Sequence, residues 1–294
     1  MFVISLLSRL PLRILYLLAD FISFIAFRLI RYRLRVVRHN ISLCFPDLNN
    51  KDQKRIIKGF YSHFGDIIAE AIWFGGCLNS QRLHRQHLVE IVNPEVISEL
   101  STDGRSMVIL SSHLGNWELS GGILHYNYTD KPFPLSEQNY IVAYKKLDNP
   151  RWDHFMRRNR IAPLQDPEHY QGYLESNQVL KYIIRHRDEQ KYYNFITDQR
   201  PYKAAKGTLP VSFMGQASKT MAAGANLAQH YGLSVVYQRM RNIRRGHYTL
   251  EYIPICANAS ETTAQEIMKH YYELLTDDIT AQPTQYLWSH KRFA

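Results

Sequence analysis

From residue 87 onward, short apolar strands alternate with helical runs, and this alternation constrains the fold more than any other feature. HLVEIV (87–92) reads as a strand. NPEVISELS (93–101) opens a short helix, with Asn93 as cap and Pro94 at its first position. TDG turns the chain into RSMVILSS (105–112), a buried strand. NYIVAYK (139–145), KYYNFITDQ (191–199), LPVSFMG (209–215), LSVVYQRM (233–240) and HYTLEYIPI (247–255) are further strands. Between and after them, residues 149–160, 173–187, 219–232 and 262–282 read as helices. The pattern predicts an α/β fold, a single domain with a central mixed, mostly parallel sheet flanked by helices. In such sheets active sites lie beyond the carboxyl ends of the strands.

Two helical regions precede the alternation. In KDQKRIIKGFYSHFGDIIAEAIWF, the gaps of three and four among Ile56, Ile57, Phe60, Phe64, Ile67, Ile68, Ala71 and Ile72 mark an amphipathic helix, which Gly75 and Gly76 end. The first 35 residues are strongly apolar but interrupted by Arg9, Arg13 and Asp20, and no stretch reaches the ~18 uncharged residues of a clean spanning helix. Nor is there a short apolar stretch followed by a cleavage site of small residues. A helix from about Leu12 to Ile30, flanked by Arg28, Arg31, Arg33, Arg35 and Arg38, fits an amphipathic or marginally spanning membrane anchor. The expected division is an N-terminal membrane-anchor helix in residues 1–34 and one main domain in residues 35–294, held on the cytoplasmic side of the membrane.

A net charge of +10 suggests an anionic partner: nucleic acid, anionic lipid or an acidic carrier protein. With neither an RNA-recognition aromatic pattern nor a helix-turn-helix signature, nucleic acid is not expected. Cys44, Cys77 and Cys256 have no metal-ligand spacing and read as reduced, buried thiols; no metal is expected.

SSHLGNWELSGG (111–122) follows the strand MVIL and places His113 five residues before Glu118. With 13 His and 26 acidic residues in 294, about one such spacing is expected by chance, and the chain has two, the other being His125 with Asp130. Context separates them. His113 lies just past a buried strand, His125 at a helix end running into a polar loop. Residues five apart do not face each other within one α-helix. His113 and Glu118 can meet only if the histidine precedes a helix whose first turn holds the glutamate. Glu118 would then hold one ring nitrogen and leave the other free as a base. No nucleophile elbow surrounds Ser111 or Ser112, so direct attack by a substrate hydroxyl is favoured over a covalent enzyme intermediate. A non-catalytic basic membrane-surface protein is the alternative.

In order and spacing, the apolar N-terminus, VVRHNISLCFPDL, SSHLGNWELSGG, YKKLDNP, ITDQ, VSFMGQASKTMAAGANLAQHYG and PTQYLWSHKRF resemble the late acyltransferases of lipid A biosynthesis. The resemblance implies transfer of a lauroyl- or myristoyl-type chain from acyl carrier protein to a hydroxyl of a lipid A precursor at the bacterial inner membrane, with no cofactor. Another glycolipid or aminolipid acceptor is the variant reading. It maps a catalytic dyad to His113 and Glu118, and substrate contacts to Asn116, Arg157, Arg158, Arg160, Asp198 and Arg200, with a structural or supporting role favoured for Asp198. The chain differs from the family at Lys145-Lys146, where Arg-Pro is usual, at Arg200, where an acid is usual, and at PTQ, where Pro-Glu-Gln is usual. It also lacks the FPEG motif of glycerolipid acyltransferases. HKRF (290–293) is expected to be a basic surface patch.

Overall fold

The computed structural model describes residues 2–78, 80–202, 205 and 207–293. Its strands are β1 (Val89–Ile91), β2 (Met107–Ser111), β3 (Tyr140–Tyr144), β4 (Tyr173–Glu175), β5 (Tyr192–Ile196), β6 (Thr208–Phe213), β7 (Gln216–Met221), β8 (Ser234–Arg244) and β9 (His247–Cys256). The helices are α1 (Phe2–Leu7), α2 (Leu12–Ile25), α3 (Leu34–Cys44), α4 (Asn50–Phe74), α5 (Ser80–Gln86), α6 (Glu95–Glu99), α7 (Pro150–Arg160), α8 (Val179–Arg185), α9 (Ala223–Tyr231) and α10 (Ala264–Ala281). Seven strands form one sheet in the order β1-β9-β8-β2-β5-β3-β4, parallel at every pairing except the β8–β9 hairpin. The expected mixed, mostly parallel sheet is present.

The central strand β2 is buried along its whole length. Val108 and Leu110 join one apolar cluster, with α9 and α10; Met107 and Ile109 join the other. Burial on both faces is the signature of a parallel strand sandwiched between helices. Helix α4 links the two clusters. Ile56, Ile57 and Phe60 belong to the first, while Ala69, Trp73 and Phe74 belong to the second.

Several sequence expectations need correction. Residues 173–175 form edge strand β4 rather than the start of a helix, because they pair with β3 from Val142 to Tyr144. Residues 216–221 form β7, paired with β6 across Met214 and Gly215, both with positive φ (51° and 73°). This is the backbone sign that a two-residue hairpin turn with the right twist requires. Asn93 does not cap α6; its amide pairs with both backbone groups of Tyr252.

The N-terminal segment departs most from expectation. Among the described residues no helix is long and apolar enough to cross a membrane. Helix α2 stops at Ile25 and passes into one π-helical turn. Left-handed residues Arg31 and Arg33 then redirect the chain into α3. Leu12, Leu15 and Ala19 are buried, while Ile14, Leu17, Phe21 and Ile22 are exposed. Gly65 makes the docking of α2 on α4 possible, since a Cβ there would lie 2.0 Å from Ser23 Oγ. Arg245, in the β8–β9 turn, bonds Asp20 of α2 and Asp66 of α4.

Helix α4 carries three buried titratable groups on one face, His63, Asp66 and Glu70, of which Asp66 is bonded to Arg245. His63 Nε2 bonds the Gly115 carbonyl at 3.1 Å. Glu70 receives Tyr16 Oη at 2.6 Å, Asn116 Nδ2 at 2.6 Å and Tyr248 Oη at 2.9 Å. Burial lowers His63 from 6.5 to about 4 and raises Glu70 from 4.5 to about 7, in each case against the opposing pull of those hydrogen bonds. His63 and Glu70 have opposite linkage. Between pH 6.5 and 4 the unfolded chain binds a proton at His63 that the folded one does not, so acid destabilises. Between pH 7 and 4.5 the folded chain binds a proton at Glu70 that the unfolded one does not, so acid stabilises. Each amounts to ~3 kcal/mol at most, and they largely cancel between pH 6.5 and 4.5. Glu70→Gln should therefore lose ~2 kcal/mol more than wild type between pH 7 and 5, read from urea midpoints. Parallel stability curves for the two proteins would refute the linkage.

Candidate functional site

β2 ends at Ser111 and the chain turns sharply through residues 112–116. Gly115 takes φ +70°, and a Cβ there would lie 2.9 Å from Met240 Cγ, so backbone sign and space both favour glycine. A 3-10 helix over Trp117–His125 follows, capped by the Asn116 side chain, which accepts from Glu118 N at 3.2 Å. His113 thus precedes the helix and Glu118 lies in its first turn, as the spacing requires.

The expected His113–Glu118 hydrogen bond is nevertheless replaced by another. His113 Nδ1 lies 2.8 Å from Asp198 Oδ1, and the same oxygen accepts His113 N at 3.1 Å. Asp198 follows β5, the neighbour of β2 in the sheet, so both residues emerge at the carboxyl edge. Burial would raise the Asp198 carboxyl, but the His113 charge and hydrogen bond outweigh it and hold the group below the usual range. As an ionised acceptor, Asp198 sets the tautomer with the proton on Nδ1. Nε2 is left as an acceptor, 3.1 Å from the donating Nε2 amide of Gln199.

Glu118 points to Arg160 instead. Its oxygens take Arg160 Nη2 at 2.7 Å and Nε at 2.8 Å, and Trp117 Nε1 at 3.0 Å. Burial pushes this carboxyl up, and the arginine pulls it down further, for a net depression. The bidentate pairing draws the carboxylate to the arginine fork. Trp117 meets the His113 ring edge-on at 4.9 Å, so Glu118 acts on the histidine through the tryptophan and the local field.

His113 lines a cavity of about 580 Å³, within the range of small-molecule sites. Its walls include Trp117, Leu124, Val142, Ile161, Leu164 and Tyr173. Lys145, Arg160, Arg200, His290 and Lys291 are its other ionisable lining groups besides tyrosines, and no acid lines it among the described residues.

The remaining sequence candidates divide. Arg160 and Arg200 line the cavity. Arg157 and Arg158 are exposed outside it, Arg157 beside a shallow groove with Tyr144 and Glu175. Asn116 and Asp198, expected to touch substrate, are 0% and 1% exposed and do not line this cavity; one caps a helix, the other holds His113. His125 bonds the Pro163 carbonyl at 3.0 Å. HKRF is at the surface only in part: Lys291 is exposed and His290 half-buried, but Arg292 is buried. Arg292 is 2% exposed, bonded to Ser218 and Tyr272 and stacked over Phe213 and Phe293.

Sequence reasoning passed over His63 and Glu70, did not place Lys145 or Lys291 in the site, and gave Asp198 a supporting role without seeing that its partner is His113. The position of Asp198 just past a strand was the available signal for its place beside His113. The role of the C-terminal PTQYLW is backbone support. Gly115 N donates to Gln285 O and Leu287 N to His113 O, which fastens the loop at two backbone positions.

The whole chain, residues 1–294, matches the family model described as bacterial lipid A biosynthesis acyltransferase. It is 23% identical over 298 residues to a lipid A biosynthesis lauroyltransferase of Escherichia coli (strain K12), an alignment covering 99% of this chain and 89% of the relative. The chain belongs to the bacterial lipid A biosynthesis acyltransferase family.

Proposed function

We propose that this acyltransferase moves a fatty acyl chain from acyl carrier protein to a hydroxyl of a lipid A precursor, with His113 as general base and no cofactor. The observation that carries the reading is the His113 ring on the cavity wall, with Nδ1 held by Asp198 and Nε2 left as an acceptor facing Gln199. Nε2 takes the proton of the acceptor hydroxyl as its oxygen attacks the thioester carbonyl. Asp198 stabilises the imidazolium that forms. The tetrahedral intermediate then collapses, and the imidazolium returns the proton to the departing thiolate. Gln199 bonds the nitrogen that the acceptor needs, so it gives way on binding. Its amide N–H groups are then placed to meet the developing oxyanion.

The acyl chain occupies the apolar part of the cavity, where each buried methylene contributes ~0.8 kcal/mol. Arg160 keeps its charge beside the reacting centre but is matched by Glu118, so it orients more than it attracts. Lys145, Arg200 and Lys291 favour anionic groups of donor or acceptor at the cavity wall.

His113→Ala should lower transfer by ~10²–10⁴ while circular dichroism stays native. Asp198→Asn, which favours the wrong tautomer, should approach that loss. Glu118→Gln should cost less, since the amide keeps one bond to Arg160, and His125→Ala should stay within a few-fold. Near-normal transfer by folded His113→Ala would overturn the mechanism. A larger loss in Glu118→Gln than in Asp198→Asn would overturn the choice of orienting acid.

We also propose that α2 lies in the face of the inner membrane, on the cytoplasmic side, rather than crossing it. Ile14, Leu17, Phe21, Ile22, Phe24, Leu29 and Ile30 are exposed, with Arg9, Arg13, Arg28 and Arg31 among them in sequence. Apolar insertion and attraction to anionic lipid then act together. The double variant Leu17→Glu with Phe21→Glu leaves the buried side of α2 intact. It should no longer sediment with anionic vesicles, yet should still act on detergent-dispersed substrate. Unchanged sedimentation would refute the membrane-facing role.

A further inference from the structure

Glu70 takes no part in the mechanism above, yet it is fully buried, 0% exposed, and its bonds come from three separate elements. Tyr16 belongs to α2, Tyr248 to β9, and Asn116 to the loop that carries His113. The adjacent cation, Arg245, is engaged by Asp20 and Asp66. A carboxyl desolvated without a cation of its own is costly to keep, and a leucine would fill a similar volume. What a leucine could not do is fix the Asn116 amide. Asn116 Oδ1 must face Glu118 N to cap the 3-10 helix. Its Nδ2 must then point the other way, into the protein, where Glu70 Oε2 receives it at 2.6 Å. His63, two turns back on the same face of α4, holds the preceding carbonyl of Gly115. Helix α4 thus grips two consecutive residues of the loop from behind.

We propose that Glu70, acting through Asn116, is a positioning residue that fixes Trp117 and Glu118 against His113 and so governs the rate of transfer rather than substrate binding. The proposal rests on His113 being the general base. Both protonation states of Glu70 serve. The carboxylate accepts all three bonds, and the neutral acid accepts from Asn116 and Tyr248 at one oxygen while donating to Tyr16 from the other. Through Tyr16 the same group ties the loop to α2, so release of α2 from α4 would loosen the site.

The test exchanges the polarity of one hydrogen bond. Asn116→Asp alone sets two carboxylates against each other where one bond of 2.6 Å stood. Adding Glu70→Gln restores a donor–acceptor pair with its direction reversed, and the introduced carboxylate still has an oxygen to cap Glu118 N. Loop displacement of ~1 Å can cost ~10²-fold in rate. Accordingly kcat should fall roughly tenfold or more in Glu70→Leu and in Asn116→Asp, with KM nearly unchanged. Glu70→Gln alone should stay within roughly threefold of wild type, and the double variant should return to that level. The ring resonances of His113, followed by NMR in the same full-length proteins, should shift in the two impaired variants and return in the double one.

If Glu70→Leu does not fold, the exchange pair decides alone. A double variant no better than Asn116→Asp would overturn the proposal. So would a folded Glu70→Leu with wild-type kcat, or a loss residing in KM. Resonances that follow this pattern in a protein without transfer activity would uphold the positioning role and refute the function proposed above. Wild-type transfer without the pattern would do the reverse.

Discussion

A single carboxylate oxygen organises the site. Asp198 Oδ1 takes both the backbone N–H and the ring Nδ1–H of His113, which fixes the position of the residue and the tautomer of its ring together. The arrangement exists only because β5 lies beside β2, in register from Met107 with Tyr192 to Ser111 with Ile196. The two strands end level, and the residues just past each end are neighbours. The sheet order therefore sets the chemistry, since an intervening strand would separate acid and base by ~5 Å more.

Much of this was legible in sequence, but unevenly. The unbroken apolar run of β2, the polar exit with Gly115 and the acid placed in the first helical turn are local signals, and the structure carries all three. The pairing of His113 was not local. Glu118 was the acid within reach by spacing, while Asp198 lies 85 residues on and becomes adjacent only when β5 pairs with β2. Arg160 decided the matter. Its planar fork satisfies both Glu118 oxygens, and a histidine ring cannot compete for a carboxylate already bound bidentately. Likewise β4 and β7 were hidden because strand formation there depends on a partner, not on the segment's own pattern.

The basic residues illustrate a different limit. Composition gives their number, not their partners. Arg292, in a C-terminal tail that reads as a basic patch, is packed among aromatic rings. Arg245, in a hairpin turn, is the clasp between α2 and α4. Lys145, Arg200 and Lys291, from three distant parts of the chain, line one cavity. The net charge pointed to an anionic partner, and only the fold separates cations consumed internally from those facing the cavity.

Helix α2 joins these strands of argument. Its apolar residues divide between a side packed on α4 and a side open to the surroundings, so a segment read as an anchor outside the main domain is also part of the core. Ser23 fits against Gly65, Asp20 meets Arg245, and Tyr16 reaches Glu70. From Tyr16 the chain of contacts runs through Glu70 and Asn116 to the helix that carries Glu118, each link within ordinary hydrogen-bond distance. A surface element joined this directly to the loop of His113 cannot be removed without disturbing that loop. On the proposal that α2 lies on a membrane, attachment and assembly of the site would be two uses of the same helix, separable only by substitutions confined to its outer face.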